Sequence, residues 1–185
     1  MAGAKNFFRR VSPIFSALLL AAWLGVTLFV WFSATTTFSV LSPKKNSAIA
    51  QKFGEIPEIA RERALRHAAG EVNRAMFRGW NRAQLAVAAL VLWAAFSLRN
   101  GGAGRRRWIL GISGALLLIV AAHAFWLGPG IEEAGRALDF AEKSRPPGAA
   151  GRMGFYHGAY VVSDMVKAAL IVLGLWFVAA EHLSD

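Results

Sequence analysis

The chain has 185 residues, 56% of them hydrophobic, with a net charge of +10 and no cysteine. A soluble domain is about 45–50% apolar, and the excess here is gathered in blocks, so one membrane domain is expected with little chain left for a separate soluble one. Disulfides, thiolate metal sites and thiol nucleophiles are excluded, and the basic excess flanks the apolar blocks, where it suits anionic lipid headgroups rather than nucleic acid.

Four segments, approximately residues 13–41, 80–98, 108–127 and 157–180, reach the roughly 17–25 residues a helix needs to cross about 30 Å of hydrocarbon. Backbone polar groups in hydrocarbon must be paired within the protein, so a spanning element is a helix or a closed barrel. Runs of Leu, Ala, Val, Ile and Phe without polar alternation select helix over barrel strand. The expected fold is therefore an all-α membrane protein, a single transmembrane domain over residues 1–185. Its four transmembrane helices form an antiparallel up-down bundle, with an amphipathic segment before the second span.

Span one follows Lys5, Arg9 and Arg10 and opens with Ser12 and Pro13, a cap and first-turn pair. A cleaved signal peptide would have an apolar core of about 7–15 residues and a small-residue cleavage site. This run continues through Trp31 without a clean A-x-A site, which favours a span. Thr35, Thr36 and Thr37 near its end can return their hydroxyls to carbonyls one turn back.

Residues 42–79 form a charged, partly helical connection. Leu65, Ala69, Val72 and Met76 recur at helical spacing, Glu58, Glu62 and Arg66 form an i,i+4 ladder, and Gly79 marks a bend before span two. Span two begins at Trp80 and Asn81 and is rich in alanine, which permits close helix approach. RNGGAGRRR, with four arginines, is a hairpin connector to span three. In span three Gly111 and Gly114 offer a packing groove, and Gly128-Pro129-Gly130 is expected to stop the helix. A charged connection over 128–156 then leads to span four.

Span four carries the informative residues. His157, Tyr160, Asp164 and Lys167 lie at offsets that place them within an arc of roughly 80° on a helix. An ionisable residue inside a span costs about 2.5–3.5 kcal/mol on insertion scales and normally faces protein or water. The stripe has two readings: a self-neutralising Asp–Lys contact that fixes helix rotation, or a proton relay, ion path or ligand anchor. His123, near the end of span three, is the one further histidine able to join His157 as a haem or copper ligand. No hydrolase, zinc-protease, Walker A or dinucleotide motif occurs, so nothing argues for an enzyme, and no cofactor or metal site is expected.

Three stretches resemble the transmembrane protein 205-like family of four-helix integral membrane proteins. WLGVTLFVWFSATTTFSVL is similar to the family's first span, with Trp23 and Gly25 at the entry, Ala34 and Phe38 at the exit, and Thr35 where the family pattern has proline. AGEVNRAMFRGW resembles the approach to span two, and FYHGAYVVSDMVK the entry to span four, with His157, Tyr160, Asp164 and Lys167 on the pattern. The resemblance implies a four-helix membrane architecture and adds weight to the span-four stripe. It implies no substrate.

The expected role is a small membrane scaffold or accessory subunit, with a small transporter or ion- and proton-handling protein as the second reading and a haem- or copper-binding protein as the third. The expected partners are the lipid bilayer, its anionic headgroups, and a membrane-protein partner or a second copy, with no nucleic acid. Charge divides the topology: cytoplasmic termini gain Lys5, Arg9, Arg10, Arg99 and Arg105 to Arg107, and the opposite orientation gains the many Lys and Arg between Ser42 and Gly79. The short, dense loops favour both termini in the cytoplasm under the positive-inside rule.

Overall fold

A computed structural model describes residues 2–97, 103–139 and 147–182. The Gly-rich connector at 98–102 and the Pro-containing stretch at 140–146 lie outside the described residues. Within them there is no strand. The helices are α1 (Ala2–Val40), α2 (Ser47–Lys52), α3 (Glu58–Ser97), α4 (Ala103–Ala122), α5 (Gly128–Asp139) and α6 (Ala149–His182), with a π-helical turn at His123–Leu127 joining α4 to α5.

Each long helix buries one narrow seam. On α1 it is Ser16, Leu20, Trp23, Thr27 and Val30; on α3 Asn81, Gln84, Ala88, Val91 and Ala95; on α4 Ile109, Ile112, Leu116 and Val120; on α6 Tyr160, Asp164, Lys167, Ile171 and Val178. Spacings of three and four residues keep a side chain on one face of a helix. The seams meet in a core built on Leu20, Trp23, Ala88, Leu116, Val120 and Ile171. The remaining faces expose large apolar side chains such as Phe29, Phe32, Trp93, Leu118, Val162 and Trp176. Such surfaces suit lipid, and large contiguous ones are unusual on a soluble monomer.

Three stretches are long and apolar enough to cross a membrane: Ile14–Val40, Arg106–Leu138 and Ala149–Ala180. The protein is thus a multi-pass integral membrane protein. The segment expected as span two is the C-terminal part of α3, and it does not join these three. Asn81, Arg82 and Gln84 fall inside it and reduce its apolarity.

The boundaries differ from the expected ones in several places: α1 begins at Ala2 rather than at 13, and α6 begins at Ala149, inside the expected 128–156 connection, whose first part is α5. α3 is one helix of 40 residues, about 60 Å long, and it runs through Gly79 without a break, so much of the expected 42–79 connection is its first half. Val72, expected on an apolar stripe there, is exposed, and the buried residues are Ala69, Gly70, Asn73 and Arg74.

Gly128-Pro129-Gly130 does not stop the helix. Proline lacks the N–H that an α-turn needs, and its ring crowds the carbonyl four residues back. Here the preceding turn widens: the Gly128 N–H bonds to the His123 carbonyl, five residues back, and helix resumes as α5. The glycines answer to packing rather than to chain termination. A Cβ on Gly128 would lie 2.6 Å from the His123 carbonyl oxygen, and one on Gly130 would lie 2.6 Å from the Tyr156 ring. By contrast, Gly111 and Gly114 have no neighbour within 4 Å of an added Cβ, so the expected packing groove is not occupied.

Substitution of these glycines should separate the two situations. Gly128→Ala pushes against backbone and should lower the unfolding midpoint in detergent, with Gly130→Ala also unfavourable. Gly111→Ala should be neutral or stabilise by up to about 1 kcal/mol, the helix-propensity gain. Thermal unfolding followed by circular dichroism reads all three; a Gly128→Ala variant as stable as the parent would refute the close approach.

Candidate functional site

Near the middle of the bundle the seams turn polar. Asn81 and Gln84, one turn apart on α3, are almost fully buried, as are His123, Tyr160, Asp164 and Lys167; Lys167 and His123 have no exposed surface at all. Helix periodicity brings Tyr160, Ser163, Asp164 and Lys167 to the inner side of α6, and the π-turn carries His123 towards them.

Lys167 and Asp164 form an ion pair within α6. Each charge is also held by another helix: the Trp31 indole N–H of α1 donates to Asp164 Oδ2, and the Lys167 ammonium donates to Gln84 Oε1 of α3. Gln84 Oε1 accepts a second bond, from Trp23 Nε1 at 3.2 Å, and Gln84 Nε2 donates to Asn81 Oδ1 at 3.4 Å. Asn81 Oδ1 accepts from the Tyr160 hydroxyl at 2.7 Å, while Asn81 Nδ2 donates to the His123 carbonyl at 3.3 Å. That carbonyl also accepts the Gly128 N–H that closes the π-turn. The irregular backbone and the polar cluster are therefore one construction.

The bonds also set the tautomer of His123. Ser163 Oγ donates to the carbonyl of Ala159 at 2.8 Å, or to that of Tyr160 at 3.0 Å. Its hydrogen is then spent, and it accepts from His123 Nε2 at 2.7 Å. A neutral His123 with its proton on Nε2 presents a bare Nδ1 towards Asp164 Oδ1, 3.7 Å away. The imidazole stacks on Tyr160 with centroids 4.1 Å apart, and Phe77 meets the same Tyr160 ring edge-on. Nδ1 of His123 and Oγ1 of Thr27 are buried without a hydrogen-bond partner.

On the Ser97 side of this cluster the interior is apolar, filled by Leu20, Ala88, Val91, Leu116 and Ile171. A cavity of about 20 Å³ lies there, lined by Ser16, Leu20, Val91, Ser113 and Leu116 among others, and no residue of the polar cluster lines it. That is space for roughly one water. At the other edge Trp31, half-buried, covers the Asp164 carboxylate.

Towards Glu58, α3 carries a second polar set. Asn73 donates to the Ala34 carbonyl of α1 at 3.2 Å, and Arg74 is fixed by Glu71 at 2.9 Å. Arg78 reaches Glu132 of α5 at 3.3 Å, and Arg136 of α5 reaches Glu71 at 3.5 Å. The hydrogen bond from Arg74, aided by the charges of Arg74 and Arg136, holds the Glu71 carboxyl below its ordinary pKa. The Arg78–Glu132 and Arg136–Glu71 pairs, partly exposed, tie α5 to α3, each for little energy.

Of the residues singled out from the sequence, Tyr160, Asp164, Lys167 and His123 come together. His157 does not: it is exposed, and seven residues before Asp164 it stands about 10 Å further along the axis. It therefore does not converge with His123 as a ligand pair. Among the described residues no group of three or more His, Asp or Glu is placed to hold a metal. The residues missed from the sequence are Trp23, Trp31, Asn81, Gln84 and Ser163. Their signal was present as side-chain donors and amides in otherwise apolar stretches, with Asn81 and Gln84 three apart and Trp23 and Trp31 eight apart, each pair on one helix face.

Residues 59–137 match the model of a family described as a domain of unknown function (DUF4149). The matched region holds Asn81, Gln84, His123 and the π-turn but not the α6 residues. No curated protein and no solved structure matches the chain.

Removing partners should rank by what they serve. Neutral interhelical bonds in membrane proteins average about 0.6 kcal/mol and reach about 1.7, whereas a hydrogen bond to a charged group is worth about 1.5–3 kcal/mol. Gln84→Leu, which strips Lys167 of its α3 partner, should therefore destabilise more than Tyr160→Phe in denaturant titrations of the purified protein. The opposite order would mean that Gln84 does not hold the ammonium.

Proposed function

We propose that this protein is a small membrane scaffold or accessory subunit. In this reading a single domain of four spans packs as an antiparallel up-down bundle, with its helices locked in rotation and register by the Asp164–Lys167 pair. The observation that carries the proposal is that each buried charge is bonded to a neutral side chain of a different helix, with apolar side chains packed beside the cluster on its Ser97 side. A transporter or proton carrier needs a polar route to its ionisable groups. Here His123 and Lys167 have no exposure, and the His123 ring is engaged by Ser163 and Tyr160.

The C-terminal half of α3 serves as the fourth span in this reading. Its polar Asn81 and Gln84 are buried against the other helices, so they are not presented to lipid. Opposite helix directions are supported by the contacts: Ala34 of α1 meets Asn73 of α3, while Trp23, earlier on α1, meets Gln84, later on α3. The resemblance of the sequence around Trp23 and around His157, Tyr160, Asp164 and Lys167 to the transmembrane protein 205-like family supports the same four-span plan.

The exposed apolar faces meet lipid and a membrane-protein partner or second copy, basic flanks meet anionic headgroups, and both termini are cytoplasmic. Lys5, Arg9, Arg10 and Arg105 to Arg107 support that orientation, since basic residues accumulate on the cytoplasmic side.

The proposal is tested in proteoliposomes carrying a pH or alkali-cation gradient. The expected result is no ion or proton flux above that of protein-free liposomes. A flux that disappears with Asp164→Asn in a variant that still purifies as a folded bundle would replace the scaffold reading with ion handling.

A further inference from the structure

The chain leaves the α1 span at Val40, and the segment beyond it folds back on the helix ends. Asn46 turns back, its Nδ2 donating to the Val40 carbonyl at 2.9 Å and its Oδ1 capping α2 at the Ile49 N–H. From the start of α3, Arg61 donates to the carbonyls of Ala50 at 3.0 Å and Phe53 at 3.3 Å, satisfying the orphan carbonyls at the end of α2. Lys44 and Glu62 add a pair at 3.1 Å. The segment is thus fastened to α3 and to the end of α1.

This fastened segment nevertheless exposes large apolar side chains: Phe53 at 38%, Ile56 at 41% and Ile59 at 63%. Exposed Lys45 and Lys52 accompany them, and between Ser42 and Arg66 there are six basic residues against three acidic ones. In water three large apolar side chains within seven residues forgo the gain from burial. At the headgroup level an aromatic ring and aliphatic chains enter the acyl boundary while lysine stems lie along it and their ammonium groups meet phosphate.

We propose that residues 44–59 form an interfacial anchor, which seats Phe53, Ile56 and Ile59 in the headgroup layer at the end of the α1 span. Lys45 and Lys52 select anionic phospholipid. The inference rests on α1 crossing the membrane and is independent of what the Asp164 cluster does, so a flux result in proteoliposomes leaves it standing.

The absence of cysteine makes the test clean. Phe53→Cys and Ile59→Cys, each labelled with an environment-sensitive fluorophore, are placed one copy per nanodisc in phosphatidylcholine alone or in phosphatidylcholine with phosphatidylglycerol. The label should report a lipid-like environment in the anionic discs and a wetter one in the neutral discs. Lys45→Gln and Lys52→Gln should each weaken that preference about five-fold, the worth of one lysine near an anionic surface. Hydrogen exchange over residues 47–57 of the unsubstituted chain should slow in anionic discs, which guards against a labelled variant that fails to fold.

Water-like emission in both discs would overturn the anchor. So would burial equal in the two lipids and indifferent to the lysines, or burial seen only when two copies share a disc, the last pointing to self-association.

Discussion

The structure depends on one buried ion pair, Asp164 with Lys167, placed where apolar helices meet. Either charge alone would be costly in such an interior, and a pair on one helix would neutralise itself without touching the rest of the fold. What gives the pair its reach is the second set of bonds. Trp31 draws α1 to the carboxylate and Gln84 draws α3 to the ammonium. Tyr160 and Asn81 carry the connection to the carbonyl of His123. In lipid, apolar side chains gain little from meeting one another rather than acyl chains, so packing and polar contacts must choose how helices face. A polar cluster touching α1, α3, α6 and the π-turn makes that choice in one place.

The π-turn answers to the same constraint. A regular α-helix through residues 123–129 would have to accommodate Pro129 and would pair the His123 carbonyl with the Leu127 N–H instead of that of Gly128. The wider turn does two things at once: it carries the helix past proline, and it turns His123 and its carbonyl towards Tyr160 and Asn81. Gly128 and Gly130 then allow the close approach that the arrangement requires. Beyond the turn, α5 is held on α3 by partly exposed ion pairs, which orient it at small energetic gain.

Much of this was legible in the sequence, for identifiable reasons. Long apolar runs without alternation specify membrane helices, and the spacing of Tyr160, Asp164 and Lys167 specifies a shared face. The reach of that face along the axis was not legible: His157 has the right angle but lies beyond the cluster, because periodicity fixes direction around a helix and says nothing of where its neighbours end. Gly128-Pro129-Gly130 reads as a stop by local propensity, whereas tertiary contacts to Asn81 and Tyr156 give each glycine a different purpose. Asn81 and Gln84 look like a polar entry to a span until the partner helices are in place, and only then do they become interior ligands for Tyr160 and Lys167.

The most direct test is a double-mutant cycle on Asp164→Asn and Lys167→Met, read as unfolding free energy of the purified protein. If the pair is the lock, each single variant strands a buried charge and loses about 3–5 kcal/mol. The double variant should then lose less than the sum of the two by about 2–3 kcal/mol. Additive losses would contradict the account, because they would mean that Asp164 and Lys167 are stabilised independently and that no shared bond holds the bundle together.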